Sequence, residues 1–457
     1  MKQHFKMRRA DHLAREQRKK ESKDTSGVQR PIRTRGQTYG IDNTILSWII
    51  YTTFLENTIV KYMNPKLGRV VLEGTIKSPG ILCHCCYTVL TVKEFQIHAG
   101  YYNGPRPYAN IFVEPGIPLL DCMVKSWIDI QKTNTHLMPD DACVKFTNEG
   151  DFICCSKCGF MYNQHCNRKK DASEVSWLCP YCICKSCGKT GADEDILITC
   201  NQCEKYYHWR CYVNKNVEFV DLNYNWSAFC DHNCKKVYKE LRKTLGVKTE
   251  LNNGFSWTLL GPINQEFDAF LDDEYEIAVY HSKLAIARNV MEECFHSISG
   301  SHAKISGIDH ITYNYQAIFK GSYIAVLEKD DEIFSMACLR ICGTKLAEIP
   351  FIATCEKYRN KGMCKRLMFG IEWALRHLQI ENLVISFSKE MASHWIRHHR
   401  FKKIESSLED DIRHMKTLLF FHNTTKIQKT LTPKPEKSKI VFDVDLNLAV
   451  EDQGQIG

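Results

Sequence analysis

The feature that most restricts the fold of this chain is the crowding of its cysteines. The sequence has 457 residues and 23 cysteines, and fourteen of these fall between Cys143 and Cys234. The charged N-terminus lacks the apolar segment of a signal peptide, and the sequence has no apolar run of about 18 residues, so we expect neither secretion nor a membrane span. In a reducing compartment thiols bind metals or are buried, and stable disulfides are rare. The crowding therefore predicts zinc.

The second half of the cysteine block contains four ligand pairs in a regular order. Zinc prefers four tetrahedral thiolate or imidazole ligands, and short spacings let one turn of backbone supply two of them. Eight ligands predict two ions, and they are Cys184, Cys187, Cys200, Cys203, His208, Cys211, Cys230 and Cys234. The order resembles that of a PHD finger. This resemblance implies cross-bracing, in which the first and third pairs hold one ion and the second and fourth pairs hold the other.

The first half of the block resembles another PHD finger that has lost ligands. One site is complete, with Trp177 at the position of the core tryptophan, and its ligands are Cys155, Cys158, Cys179 and Cys182. At the other site Phe146 and Asn163 stand where a cysteine and a histidine belong, and the remaining candidates are Cys143, His165 and Cys166. Zinc binding supplies much of the folding free energy of such small modules. We therefore expect one ion here and local looseness around residues 143–152.

The resemblance to PHD fingers implies binding of a histone H3 tail, which adds as a strand to a small sheet. Acidic side chains hold an unmodified lysine, and aromatic cages hold a methylated one through cation–π attraction. Asp141 and Asp151 of the first finger are the acidic candidates, and Tyr206 of the second is the aromatic one. This set favours an unmodified or weakly discriminated basic tail. The alternative is that the fingers serve only folding or domain docking.

Residues 255–422 alternate strand and helix patterns, as an α/β domain does. The loop Arg359-x-x-Gly362-x-Cys364 follows a strand and opens a long helix that extends to about residue 378. Free backbone N–H groups and the helix dipole make such a helix N-terminus a pyrophosphate site. The predicted strands are 323–327, 333–341, 346–353 and 383–387.

These motifs resemble a GNAT N-acyltransferase of the histone acetyltransferase branch. In that family the strand that reads AEIPFIAT carries the general base, which maps to Glu348, because deprotonating a lysine ammonium requires a carboxylate. The family's loop binds acyl-CoA, which implies acetyl-CoA as cosubstrate. The residues implied to contact it are Ile352, Ala353, Arg359, Lys361, Gly362, Met363 and Cys364. Two positions depart from the family pattern: Cys364 replaces the usual glycine or alanine, and Arg400 replaces the glycine before Phe401.

Residues 40–127 have the composition of a globular module. The apolar run 45–63 predicts a buried helix, and two strands are expected on either side of a turn at 78–80. Cys83, Cys86 and His98, with Cys122 as the fourth candidate, predict either a zinc ion or a packed sulfur cluster. The candidates for contacts with DNA phosphates are Tyr101, Tyr102, Arg106 and Tyr108.

The two ends of the chain are polar. Residues 1–39 form a basic arm that we expect to be disordered, and its alternatives are a solvated tail, a nuclear import signal or a phosphate-contacting arm. Twelve Lys/Arg and four Asp/Glu in residues 1–36 account for the whole net charge of +8. Residues 423–457 are predicted to be a linker and a tail. In the tail, Asp445-Leu446-Asn447-Leu448 resembles the plant amphiphilic repression motif, which implies a Topless-type corepressor.

The order of these modules resembles the plant increased-DNA-methylation type of histone acetyltransferase over about residues 40–422. The resemblance implies a nuclear chromatin regulator that acetylates histone H3 and a multidomain α+β fold. Its parts are a small tify-DNA-binding-like module (40–127), a degenerate PHD finger (140–182), a complete PHD finger (183–245) and a C-terminal GNAT domain (255–422). One alternative is a catalytically inactive chromatin adaptor that recruits corepressors, in which Glu348 is a solvated strand residue. The other is a RING-like ubiquitin ligase, against which Trp177 and the acyltransferase motifs argue.

Overall fold

The structure is a computed structural model with a mixed α+β fold and several sheets. It describes residues 43–102, 104–135, 152–157, 161–163, 178, 182–189, 197–203, 205–213, 220–222, 225–261, 273–295, 321–413 and 424–431. The basic arm, the tail with the repression-like motif and most of the first finger lie outside these residues. Among the helices described, none is long and apolar enough to cross a membrane.

Residues 43–135 form an antiparallel sheet with helices packed around it. Its strands follow the order β4-β3-β2-β1-β5-β6. The elements are α1 (Ile45–Thr53), β1 (Ile59–Met63), β2 (Val70–Lys77), β3 (Gly80–Cys83), β4 (Val89–Leu90), α2 (Val92–His98), α3 (Pro107–Asn110), β5 (Ile111–Val113), β6 (Ile117–Pro118) and α4 (Leu119–Thr135). The strands expected around the turn at 78–80 are confirmed as β2 and β3.

The helix expected over residues 45–63 is wrong in its second half. Helix α1 ends at Thr53, because Phe54 adopts a left-handed backbone with φ of 58°. Val60 and Tyr62 are then buried while their neighbours in β1 are more exposed. This period of two belongs to a strand, and the continuous apolar composition of the run conceals it.

The described parts of residues 152–244 are short antiparallel hairpins and two helices. They are β7 (Phe152–Cys154), β8 (Met161–Asn163), β9 (Leu197–Thr199), β10 (Tyr206–His208), α5 (Trp209–Val213), β11 (Val220–Leu222), β12 (Asn225–Ser227) and α6 (His232–Thr244). A small buried cluster contains Tyr207, Phe229 and two cysteines. So little apolar surface does not hold a module together by itself, which favours metal ligation.

The C-terminal part is built on an eight-stranded sheet of order β13-β14-β15-β16-β17-β18-β20-β19. Its strands are antiparallel except for the parallel pair β17 and β18. The elements are β13 (Lys248–Glu250), β14 (Ser256–Leu260), α7 (Glu274–Phe295), β15 (Ser322–Lys329), β16 (Glu332–Cys342), β17 (Leu346–Thr354), α8 (Met363–His377), β18 (Asn382–Ser388), α9 (Lys389–His398), β19 (Lys402–Lys403), α10 (Ser406–Arg413) and β20 (Thr424–Thr430). The strands and the long helix expected here are confirmed.

The linker expected from residue 423 is wrong for residues 424–430, which form strand β20 between β18 and β19. Ile427 is the one large apolar residue of this strand, and it is fully buried. Lys426 and Lys429 form ion pairs inside the domain, and the Gln428 side chain accepts a hydrogen bond from the Glu405 N–H. The composition of the segment does not reveal these partners, because they are remote in sequence. The segment is therefore read as a linker from its sequence alone.

Helix α7 joins the N-terminal module to one face of the large sheet in a single apolar core. The Trp127 and His281 rings lie 4.3 Å apart between α4 and α7. At the edge of the module the Ile333 N–H donates to the Asn43 carbonyl at 2.9 Å. The opposite face of the sheet is covered by α6, α8 and α9. The last helix of the second finger therefore belongs to the core of the C-terminal part.

Candidate active site and metal centres

The parallel strands β17 and β18 separate part-way along their length. Their pairing runs from Leu346 with Asn382 to Ile349 with Ile385, although β17 continues to Thr354 and β18 to Ser388. Pro350, which has no N–H to donate, stands at the point where the pairing stops. Backbone groups of β17 beyond it are available to an extended ligand. The predicted cofactor residues Ile352 and Ala353 lie in this stretch.

The predicted anion loop lies directly after β17. Gly362 caps α8 with φ of 75°, a conformation that favours glycine. A Cβ built on Gly362 would meet no atom within 4 Å, so the space beside this residue is open. No side chain caps α8, and its first N–H groups are left to bind an anion.

The side chains around this loop are mostly basic. Lys361 is exposed, and the Arg359 guanidinium is positioned by the Thr354 carbonyl at 3.3 Å and the Cys294 sulfur at 3.5 Å. Met363 is half-buried at the start of α8. Burial raises the pKa of the Cys364 thiol to about 12, so this residue is a neutral small side chain rather than a thiolate nucleophile.

Glu348 lies in β17 one residue before the strands separate, and its side chain is only 2% exposed. One carboxylate oxygen, Oε1, lies 3.5 Å from the Lys426 ammonium. Arg340, also buried, is its cross-strand partner in β16. No described group lies within hydrogen-bond reach of the other oxygen, Oε2. The alternative of a solvated strand residue is therefore wrong.

The two carboxylate oxygens of Glu348 have different surroundings. Oε1 lies beside a cation, and Oε2 has no hydrogen-bond partner among the described residues. The Lys426 ammonium offsets part of the cost of burying the Glu348 charge. A buried acceptor with no partner is rare and calls for a water molecule or a ligand proton. Sequence reasoning missed Lys426 because β20 has the composition of a linker. Arg340 is a charged residue within the apolar run of β16, and this is the sequence signal that could have indicated a buried charge there.

Arg400, which stands where the family pattern has glycine, adopts a backbone conformation that favours glycine. Its φ is 59°, in the left-handed region. The next residue, Phe401, is buried with its ring centroid 5.5 Å from that of Trp395. The arginine at position 400 therefore leaves the turn after α9 in place, although its backbone is strained.

The structure gathers the eight predicted ligands of the second finger into two groups of four. The members of each group are those that cross-bracing requires. In the first, His208 Nδ1 lies 3.3 Å from the Cys187 sulfur and 3.9 Å from the Cys211 sulfur. In the second, the Cys230 sulfur lies 3.6 Å from that of Cys203 and 3.5 Å from that of Cys234. Tetrahedral zinc would separate its sulfur ligands by about 3.8 Å, so both groups fit this ion.

Only part of the first finger is described. Cys155 and Cys182 are both buried. The other predicted ligands and acidic tail-binding candidates lie outside the described residues: Asp141, Cys143, Asp151, Cys158, His165, Cys166 and Cys179. Tyr206 lies in β10 with the Lys157 ammonium 5.9 Å from its ring centroid. A cation of the chain itself is thus near the ring expected to bind a methylated lysine.

The N-terminal module has a third group, formed by Cys83, Cys85, Cys86 and His98. Cys122 is not in this group, so its choice as the fourth ligand is wrong. It lies buried in α4, where burial raises the pKa of its thiol. The helix packs into the core, which takes the thiol away from the turn, and the structure places Cys85 there instead.

The expected DNA contacts of the same module are corrected in part. Tyr108 is buried and its hydroxyl donates to Asp331 at 3.4 Å, so it is unable to contact DNA. Arg106 forms an ion pair with Asp273. Tyr102 is exposed, and Tyr101 is half-buried against the Tyr62 ring.

Sequence comparisons connect both large parts of the chain to one plant protein. Residues 295–430 match the family described as Increased DNA methylation 1, C-terminal domain, and residues 74–126 match the Tify domain binding domain. Increased DNA methylation 1 of Arabidopsis thaliana is 31% identical over 422 residues, which cover 87% of this chain and 35% of that protein. The chain thus spans about a third (35%) of the length of this curated relative.

Similar solved structures include acetyltransferases, at low scores. Tetrahymena GCN5 is 15% identical with a TM-score of 0.28, covering 34% of this chain and 89% of that one. The ribosomal-protein-S18-alanine N-acetyltransferase from Escherichia coli is 10% identical with a TM-score of 0.25, covering 40% of this chain and 99% of that one. At these scores the likeness carries no argument about chemistry.

Proposed function

We propose that the C-terminal part transfers an acetyl group from acetyl-CoA to a lysine side chain of histone H3 in the nucleus. The observation that carries this proposal is the buried Glu348 carboxylate beside the separating strands. Its Oε1 is held by Lys426, and its Oε2 has no partner among the described residues. One oxygen is thus anchored while the other is available to accept a proton.

The residues of the site divide the work of the reaction. The N–H groups at the start of α8, with Arg359 and Lys361, bind the pyrophosphate of acetyl-CoA. The unpaired edge of β17 at Ile352 and Ala353 binds its extended arm. Glu348 takes a proton from the lysine ammonium, through a water molecule where distance requires it. The amine nitrogen then attacks the thioester carbonyl, the C–S bond breaks, and the proton that the nitrogen loses on forming the amide goes to the departing CoA sulfur.

The remaining parts bring this site to chromatin. Two zinc ions hold the second finger through the two groups of four ligands, and one ion holds the first finger through Cys155, Cys158, Cys179 and Cys182. The fingers dock the H3 tail, with Asp141, Asp151 and Tyr206 as contact candidates. The N-terminal module binds a Tify-type protein, as the name of its matching family suggests, and its exposed Tyr102 contacts DNA. The C-terminal tail recruits a Topless-type corepressor.

A non-catalytic adaptor is the second candidate function. The observation that favours it is the same Lys426–Glu348 pair, because each charge offsets the burial cost of the other, and this requires no catalytic role. In that case the cleft would bind CoA without turnover.

The test is acetyl transfer from labelled acetyl-CoA to H3-tail peptides by the full chain. We expect Glu348→Gln to lower kcat at least about 100-fold while CoA binding is kept. The matched control is Glu372→Gln, since Glu372 is also paired with a lysine of β20 but lies on α8. This control should stay within about twofold of wild type, because its carboxylate takes no part in proton transfer. Equal turnover by Glu348→Gln would exclude the base role, and CoA binding without turnover in wild type would establish the adaptor.

A further inference from the structure

The turn that follows β3 has the backbone hydrogen bonds of a metal-binding turn. The Cys83 N–H donates to the Thr88 carbonyl at 3.0 Å, and the Tyr87 N–H donates to the Cys83 carbonyl at 2.9 Å. The first and fourth residues of this turn are Cys83 and Cys86, a Cys-x-x-Cys spacing. The backbone therefore folds back on the first cysteine and brings the second beside it.

The second finger contains the same turn at a predicted zinc site. The Cys184 N–H donates to the Lys189 carbonyl at 3.0 Å, and the Gly188 N–H donates to the Cys184 carbonyl at 2.8 Å. The residue after the second cysteine is left-handed in both turns, with φ of 71° at Gly188 and 55° at Tyr87. A tyrosine adopts this conformation only at a cost in backbone strain. Interactions elsewhere in the turn must offset that cost.

Four donor atoms meet at this turn. The sulfurs of Cys83 and Cys85 are 3.2 Å apart, and neither cysteine is in a disulfide. The Cys85 sulfur lies 3.3 Å from His98 Nε2, and the Cys86 sulfur lies 3.7 Å from His98 Nδ1. All four ligand atoms fall within 4.8 Å of one another. Zinc bound to one imidazole nitrogen and a sulfur would separate them by about 3.6 Å.

His98 is brought to the turn by a well-defined helix. It is the last residue of α2, whose start is fixed by a capping box between Thr91 and Glu94. Cys83 is buried, while Cys85, Cys86 and His98 are exposed. An ion can therefore enter from solvent and still contact the buried end of β3.

We propose that Cys83, Cys85, Cys86 and His98 bind a structural zinc ion that ties the turn after β3 to the end of α2. Three thiolates and one imidazole are the donors that zinc prefers, and four protein ligands leave no open position for catalysis. The site lies within the N-terminal module and is separate from the finger sites. Its role is to hold the left-handed Tyr87 turn and the end of α2 together.

The test counts zinc in the full chain by inductively coupled plasma mass spectrometry. We expect the double variant Cys86→Ser/His98→Ala to hold one zinc ion fewer per chain than wild type. The matched controls are His84→Ala and Cys122→Ser. His84 is an exposed histidine of the same turn, bonded through Nε2 to the Thr75 hydroxyl at 2.8 Å. Both controls should keep the wild-type count, and an unchanged count in the double variant overturns the proposal.

A second comparison separates ligation from folding. His98→Cys supplies a fourth thiolate and should keep the ion, whereas His98→Ala should lose it. Circular dichroism reports whether each variant is folded. Retention in His98→Cys with loss in His98→Ala supports the site, even where the double variant fails to fold. Equal counts in both single variants, whether kept or lost, overturn it.

Discussion

The Lys426 ammonium in β20 lies 3.5 Å from the Glu348 carboxylate in β17, with β18 between the two strands. The Lys426 and Glu348 side chains are only 18% and 2% exposed. Burying either charge without the other would cost free energy, so the burial of each group depends on the opposite charge beside it. The strand with the composition of a linker thus completes the surroundings of the candidate catalytic residue.

Replacing Lys426 with methionine should lower the free energy of unfolding by about 2 kcal/mol, because it leaves the Glu348 charge with one fewer partner. Lys402→Met is the control, since its ion pair with Glu405 is exposed, and it should change stability by less than about 0.5 kcal/mol. Urea unfolding measures both. The loss of unfolding free energy caused by Lys426→Met should be smaller when Glu348 is already glutamine. Strictly additive losses would show that Lys426 and Glu348 do not interact.

Replacing Arg400 with glycine should stabilise the chain by about 1 kcal/mol, because Arg400 has φ of 59° and glycine adopts this conformation without strain. The same change at Arg397, inside α9, should destabilise by about 1 kcal/mol through lost helix propensity. Thermal unfolding of both variants shows whether each change raises or lowers the stability of the chain. A loss of stability in Arg400→Gly would mean that the arginine makes compensating contacts.

Disrupting the second group of four ligands in the second finger should loosen the β16–β17 hairpin, which carries Glu348. The Gln202 side chain donates to the Ile341 carbonyl at 3.4 Å, and a Cβ on Gly343 would lie 4.0 Å from the Cys234 sulfur. In Cys234→Ser we therefore expect faster hydrogen exchange in peptides from β16 and β17, because metal ligation supplies folding free energy to the finger against which they pack. Peptides from β1 and β2 are the internal control. Unchanged exchange in β16 and β17 would show that the finger does not support the sheet.

Stability should fall as the pH is lowered from about 6.5 to about 4, in part because of His399. Burial, and then the charges of His394 and Lys429, lower the pKa of His399 to about 4. In this window the unfolded chain binds a proton that the folded chain does not, so acid favours unfolding. The full shift corresponds to about 3 kcal/mol, which partial exposure of the ring reduces.

His399→Phe keeps a ring against Trp395, whose centroid is 4.4 Å away, and removes the titration. We expect its stability to depend less on pH between 7 and 4.5 than that of wild type, as measured by urea unfolding. Identical slopes in wild type and His399→Phe would exclude His399 as the source.

The sequence by itself determined the features that depend on local spacing. Ligand pairs with two or three residues between their members predicted the ligands of the second finger, and the strand–loop–helix pattern around Gly362 predicted the anion site. These patterns suffice because a single turn of backbone brings their members together. Four strands of the C-terminal part, β15 to β18, and its long helix followed from sequence patterns in the same way.

The tertiary structure alone decided the features that join distant segments. It placed β20 beside β18 and brought Lys426 to Glu348 across 78 positions of sequence. It put Cys85 rather than Cys122 beside His98, and it ended α1 at Thr53 so that β1 could enter the sheet. In each case burial or pairing with a remote partner outweighed the local composition, and no spacing rule contains that information.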